Sequence, residues 1–271
     1  SSEELATTGA GEWYGAPADP ASFDIVETVD TDILICGYGS AGLFATATAA
    51  ELGLDAITIE QGSSGNDPKG LGVINARIDK EYGIENDPIA IMNEIARYAN
   101  GWGDPRVIKT WATESGEAYD WLCDSIADLG AHPTFETDVS GGHHGIWEVQ
   151  PIEHYFYITY SDEVLAEAEK AVAESGDPAA SVGILPSYGM LLRQRAEEEW
   201  GAQVRLNTAL VQLTQDDSGR VTGAIAKGPD GYIQFNAAKA VLLCTGGYEA
   251  NIDLLKQLNP ESERVCGFPM Y

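Results

Sequence analysis

Positive charge is scarce in this 271-residue chain. Fifteen Lys and Arg stand against 43 Asp and Glu, and the formal net charge is −28 at pH 7. Such a polyanion is repelled by nucleic acid and by anionic membrane surfaces, so nucleic-acid binding is excluded as a function class. The acidity carries no information about fold, and its plainest reading is a well-solvated surface. Cysteine is scarce too. Cys36, Cys123, Cys244 and Cys266 contain no C-x-x-C pair, so no zinc or iron–sulfur site is written, and no metal is expected. Cys36 and Cys244 each close an apolar run and are expected to be small buried residues. No stretch approaches the roughly 18 continuous apolar residues of a membrane span. A signal-peptide pattern is also missing. Residues 1–30 are rich in Ser, Thr, Ala, Gly and Pro and are expected to form a flexible lead-in. The first residue is Ser1 rather than Met, which fits export after cleavage as well as an arbitrary boundary; the chain is expected to be soluble, its compartment open. Apolar residues, by contrast, make up 44%, enough for the core of one large domain or one and a half ordinary ones.

The periodicity of those residues predicts an α/β fold. Thr31–Cys36 is expected as strand one. Ser40–Leu52 is expected as a helix, with Ala41, Ala45, Ala49 and Leu52 at helical spacing and small enough to lie close to a sheet. Asp55–Glu60 is the second strand. Together they predict a βαβ unit with parallel strands and a right-handed crossover. Residues 61–87 are expected to be mostly loop. Helices are expected over Pro88–Asn100, over Asp104–Leu129 with a bend near Gly116, over Ser161–Ser175 and over Ser187–Trp200. Residues 131–160 show no clear period. The last third reads as a β-meander with hairpin turns at Asp217-Ser218-Gly219 and Pro229-Asp230-Gly231, ending in KAVLLCTGG.

Between the first strand and helix stands Gly37-Tyr38-Gly39-Ser40-Ala41-Gly42, a G-x-G-x-x-G motif. In this pattern the first glycine makes a tight turn, the second admits a pyrophosphate to the backbone, and the third lets helix and sheet pack closely. The helix N-terminus offers N–H groups and positive dipole to the phosphates. Glu60 follows Gly39 by 21 residues, at the end of strand two, where its carboxylate can accept from ribose hydroxyls. The motif predicts dinucleotide binding and disfavours NADP, whose 2′-phosphate Glu60 repels. By itself it does not separate NAD from FAD.

Three further stretches bear on that choice: GNDPKGLGVINAR at residues 65–77, GRVTGAIA within the meander, and KAVLLCTGGYEAN at residues 239–251. With the opening motif, they resemble the fumarate reductase / succinate dehydrogenase flavoprotein family, which includes fumarate and urocanate reductases, 3-ketosteroid dehydrogenases and L-aspartate oxidase. The resemblance covers about residues 30–255 and rests on the order and spacing of the motifs. It implies a Rossmann-type FAD-binding domain with a parallel sheet, a β-meander and helical insertions, spanning residues 31–271. It places the diphosphate at Gly37, Gly39, Ser40, Ala41 and Gly42, and the adenosine at Glu60, Gln61 and the backbone around Ala209, Leu210 and Val211. Asn66, Gly72, Val73, Asn75 and Ala76 are implied beside the flavin ring, and Cys244, Thr245 and Gly246 stand where the family carries Ala-Thr-Gly. The implied reaction is reduction or formation of an activated C=C bond by hydride transfer with flavin N5.

Two departures shape these expectations. Val73 replaces the second glycine of the family's GG. No histidine lies between residues 61 and 131, whereas one branch of the family attaches FAD through a histidine that falls at Asn66 by spacing; non-covalent FAD is therefore expected. The family's substrate-capping domain, closing FAD segment and catalytic residues are expected beyond Tyr271, so this chain reads as the flavin-binding half. The implied partners are a small-molecule alkene, an electron donor that is a protein or a quinone, and a second chain if the fold is split. Within the chain the weak catalytic candidates are His143 and His144, in a glycine-flanked pair, and Arg77, for which a surface salt bridge is an equal reading. His132 and His154 rank below them. Glu197-Glu198-Glu199 reads as a solvated helix face, and Trp102, Trp111, Trp121 and Trp147 as core. Two rival readings stay open: an NAD-linked Rossmann oxidoreductase, and a non-catalytic flavin-binding or electron-transfer subunit.

Overall fold

In chain order the elements are β1 (Ile25–Cys36), α1 (Ser40–Glu51), β2 (Ala56–Ile59), β3 (Leu71–Gly72), α2 (Arg77–Glu81), α3 (Pro88–Tyr98), α4 (Pro105–Ile126), β4 (Ala131–Phe135), β5 (Glu153–Ile158), α5 (Asp162–Ser175), α6 (Tyr188–Gln194), β6 (Gln203–Arg205), β7 (Ala209–Gln215), β8 (Val221–Lys227), β9 (Tyr232–Leu243) and α7 (Ile252–Leu258). They come from a computed structural model, which describes residues 17–65, 70–135, 152–181, 184–248, 251–259 and 261. The chain divides into two units: its two ends, up to residue 66 and from residue 196, make one, and residues 67–195 make the other.

The unit from the two ends is built on one six-stranded sheet of order β6–β2–β1–β9–β8–β7. The first four strands run parallel and the meander is antiparallel. The expected βαβ unit is present, with Ile33 beside Ala56 and Cys36 beside Ile59. Small residues let α1 approach the sheet, and the Thr46 and Thr58 hydroxyls hydrogen-bond at 2.6 Å between helix and strand. The first strand begins six residues before the expected Thr31, so Ile25–Asp30 are sheet residues rather than lead-in. They pair with β9 of the meander, a partnership 200 residues away in sequence that no local pattern reveals.

That sheet folds over on itself. The β1–β9 register slips between Thr31 and Ile33. Nine residues of strand separate Glu27 from Cys36, about 30 Å if straight. Yet Glu27 accepts both guanidinium nitrogens of Arg205, at 2.8 and 2.9 Å, and Arg205 lies beside Ile59 at the other end. The core sits in the fold: Leu34, Cys36, Ile57 and Ile59 from the parallel half pack with Ala224, Ala226, Ile233 and Phe235 from the meander.

The middle unit carries a three-stranded antiparallel sheet of order β3–β5–β4 and helices α2 to α6. Asp87 and Asp104 cap α3 and α4, each followed by a proline that suits a first turn. The described part of residues 61–87 is mostly loop, as expected, with the short β3 and α2 in it, and residues 131–160, which show no clear period in sequence, contain β4 and β5. Two expectations are corrected here. Helix α4 runs unbroken through Gly116. A β-carbon there would fall 2.7 Å from the Ile74 carbonyl oxygen, so the glycine admits a passing backbone and marks no bend. Trp102 is 92% exposed rather than core, and Trp111 and Trp121 are half-buried; Trp147 lies outside the described residues. No described helix is long and apolar enough to cross a membrane.

Candidate cofactor site

The glycine motif turns the chain from β1 into α1. Gly37 has φ +103°, and a β-carbon on it would fall 2.8 Å from the Cys244 carbonyl carbon. Gly42 sits so close to Gly37 that a β-carbon would lie 2.7 Å from the Gly37 carbonyl carbon. The protein itself therefore demands glycine at both positions. Gly39 differs. Its backbone is extended (φ −80°, ψ −160°) and nothing lies within 4 Å of where a β-carbon would stand. Gly39 is also the N-cap of α1. Among described helices of eight residues or more, α1 is the one without a side-chain cap; Asp87, Asp104 and Ser161 cap the others. Helical bonding begins with Leu43 N–H to the Gly39 carbonyl at 2.8 Å, so the amides of Ser40, Ala41 and Gly42 precede the ladder. Open space at a glycine beside an uncapped helix start fits a diphosphate.

Glu60 braces this turn. One carboxylate oxygen accepts Tyr38 N–H at 2.7 Å and the other accepts Gly62 N–H at 2.8 Å. Each oxygen keeps a second lone pair for a ribose hydroxyl. The Tyr38 side chain is buried, and its phenol donates to Glu197 at 2.8 Å. Glu197 is exposed with Glu198 and Glu199, the solvated face expected from sequence, and its carboxylate also serves the turn. Thr208 N–H donates to the Glu60 carbonyl at 2.7 Å, which brings half-buried Leu210 and Val211 to the same end as exposed Gln61. Cys244 N–H donates to the Cys36 carbonyl at 2.7 Å, and Thr245 and Gly246 follow, exposed, with Gly246 at φ +75°. Burial and then the neighbouring Cys244 push the Cys36 thiol up to about 12, and burial raises the Cys244 thiol. Neither presents a thiolate at neutral pH.

The first unit thus gathers Gly37, Gly39, Ser40, Ala41, Gly42, Glu60, Gln61, Leu210, Val211, Cys244, Thr245 and Gly246. Gly72, Val73, Asn75, Ala76 and Arg77 lie in the second unit; Asn66, His143 and His144 lie outside the described residues. Val73 and Ala76 turn their side chains into the second unit's core, with Tyr119, Leu71, Ile78, Cys123 and Phe156. Only their backbone is on offer to a ligand. Asn75 has φ +62°, and its amide exchanges two 2.9 Å hydrogen bonds with the backbone of Asn86. Arg77 is exposed and paired with Asp120 and Asp124, the salt-bridge reading of that residue.

Sequence reasoning missed a buried pair. His154 Nε2 and Asp79 Oδ1 lie 2.8 Å apart, both side chains fully buried. His154 stands on β5 between exposed Glu153 and Tyr155, a burial that EHYFYI as a sequence does not reveal.

Known proteins match this pattern. A profile described as the FAD binding domain matches residues 32–265. Urocanate reductase of Eggerthella lenta is 28% identical over 244 residues, 87% of this chain and 35% of the relative. A fumarate reductase (cytochrome) of Shewanella frigidimarina is 25% identical over 236 residues, 84% of this chain and 35% of the relative. The chain spans about a third of the length of these curated relatives. In fold it is similar to the crystal structure of 3-ketosteroid-Δ4-(5α)-dehydrogenase from Rhodococcus jostii RHA1, with a TM-score of 0.64 at 18% identity, covering 90% of this chain and 51% of that one. The glycine turn and the expected Rossmann-type α/β architecture thus have the same explanation: the chain belongs to the FAD binding domain family, and its cofactor is FAD.

Proposed function

We propose that this chain is the flavin-binding part of an oxidoreductase that reduces, or forms, a C=C bond conjugated to a carbonyl or carboxylate. The carrying observation is the turn at Gly37–Gly42, open at Gly39 alone, in a chain matched over 87% of its length by a urocanate reductase. The NAD-linked alternative is not favoured, because the family matched is one of FAD binding. When bound, FAD supplies hydride exchange at N5 with the β-carbon of the activated alkene.

The chain's own residues hold and orient. The amides of Ser40, Ala41 and Gly42 face the diphosphate, and Glu60 accepts from the ribose while bracing the turn. Gln61 and the backbone at Leu210 and Val211 attend the adenine. Cys244, Thr245 and Gly246 form a second backbone wall of the same unit. Gly72–Ala76 is the segment assigned to the flavin ring, with Val73 and Ala76 offering only backbone, and Asn66 is assigned there with it. The substrate is a small alkene of the fumarate, urocanate or enone type, and the electron donor is a protein or a quinone.

The visible spectrum before and after acid precipitation tests this reading. A flavin band that moves to the supernatant is expected, since no histidine lies between residues 61 and 131. A band that stays with the pellet overturns the non-covalent assignment. A folded chain that takes up no added FAD overturns the site itself.

A further inference from the structure

We infer that the buried His154–Asp79 pair is a positioning device that presets the backbone of Leu71–Ala76 before flavin arrives. The inference rests on the assignment of that segment to the flavin ring.

The segment is stapled from one side. Leu71 pairs with His154 in the β3–β5 register, and Val73 N–H donates to the Ile152 carbonyl at 2.8 Å. His154 Nδ1 lies 3.0 Å from the same carbonyl. Across the ring, Nε2 meets Asp79 Oδ1 at 2.8 Å, and Asp79 Oδ2 accepts Ala76 N–H at 2.9 Å. One chain of hydrogen bonds thus runs from the carbonyl that holds Val73, through imidazole and carboxyl, to the amide of Ala76. The Tyr119 and Phe135 rings pack against His154, which is fully buried.

Protons can be counted along this chain. A carbonyl only accepts, so Nδ1 carries a proton. The Nε2–Oδ1 link needs one more, on ring or carboxyl. In either form the pair has no net charge. It therefore acts through its hydrogen bonds rather than as a charge. An amide in place of the carboxyl satisfies every bond: Asn at position 79 donates to Nε2 and accepts Ala76 N–H. Alanine leaves His154 Nε2 and Ala76 N–H without buried partners, a costly arrangement.

The test is FAD affinity and the visible circular dichroism of bound flavin, a signature of the ring's surroundings, in the full chain. D79A and H154L are expected to weaken FAD by about tenfold and to alter the flavin dichroism, the scale on which supporting side chains act on a bound group. D79N is expected to match the wild type. L122A removes a fully buried leucine of α4 and is the control for lost stability alone; it should leave the dichroism unchanged. D79A and H154L with wild-type affinity and dichroism overturn the inference, as does a D79N protein as defective as D79A. If D79A does not fold, amide exchange in the wild type decides. Val73 and Ala76 protected without FAD support a preset segment; protection that arises only on loading overturns it. A wild-type chain that binds no FAD fails earlier and differently, at the reading beneath the inference.

Discussion

The two backbone segments assigned to the cofactor are held by opposite means. The Gly37–Gly42 turn is held by absence of side chains: Gly37 and Gly42 exist because neighbouring backbone occupies the space a β-carbon needs. The Leu71–Ala76 strip is held by side chains. Val73 and Ala76 are anchored in a core, the Trp111 indole donates to the Gly72 carbonyl at 2.6 Å, Asn75 clamps Asn86, and Asp79 caps Ala76. A turn fixed by close backbone approach tolerates no side chain at Gly37 or Gly42 and is written in one short motif. A strip fixed by side chains takes Val at position 73, provided its distant partners are kept.

The largest expected effect breaks the turn. Gly37→Ala forces a residue at φ +103° against the Cys244 carbonyl. Strain and overpacking together cost roughly 2–6 kcal/mol, and FAD uptake should be lost with it. A thermal melt and flavin content check both, and a stable G37A protein with bound FAD contradicts this account of the turn.

Gly39→Ala separates a glycine kept for the protein from one kept for the ligand. Nothing in the protein meets its β-carbon, so stability should stay within about 0.5 kcal/mol. FAD affinity should fall by about tenfold or more, because the methyl stands where the diphosphate approaches. Equal FAD affinity in G39A and wild type removes the argument that the open space at Gly39 belongs to a ligand.

This contrast also explains what was legible in the sequence. The βαβ unit, the turn and Glu60 were readable, since each is a local pattern with a fixed spacing. The meander and its two turns were readable for the same reason. In the middle unit α3, α4, α5 and α6 were readable from period and caps, but α2 and the three strands were not. Helix α2 is five residues long, and its Ala76 cap depends on Asp79, whose own partner His154 is 75 residues away. β4 and β5 hide among polar and aromatic residues, and their register, Phe135 opposite His154, is a tertiary fact. Gly116 looked like a helix breaker because local propensity cannot see the Ile74–Asn75 backbone that crosses it. His154 ranked below His143 and His144 because a glycine-flanked pair draws attention, whereas burial shows only once β5 is paired.

Val73→Gly sharpens the comparison from the strip's side. It removes a side chain that is 4% exposed. Lost burial and added backbone freedom should destabilise the chain by roughly 2–4 kcal/mol. FAD affinity should change far less than in G39A, since Val73 offers a ligand only its backbone. A V73G protein as stable as wild type means the strip does not depend on that anchor.

The smallest effect is one of pH, and it sets the two units side by side. Burial pushes the thiols of Cys36, in the first unit, and Cys123, in the second, from an ordinary 9.0 up to about 12. Burial also raises the Tyr119 phenol. In each case the folded chain keeps a proton that the unfolded chain releases. Below about pH 9 both states hold it and the contribution to stability is whole; it drains away as pH climbs toward about 12. Urea midpoints measured at about pH 8 and about pH 10 should therefore fall at the higher pH. Cys36→Ala should remove the first unit's share of that fall, and Cys123→Ala the second's. If C36A flattens the pH dependence and C123A leaves it unchanged, the thiol under the glycine turn governs alkaline stability. The reverse result assigns that role to the core beneath the strip, where Cys123 packs against Val73 and Tyr119.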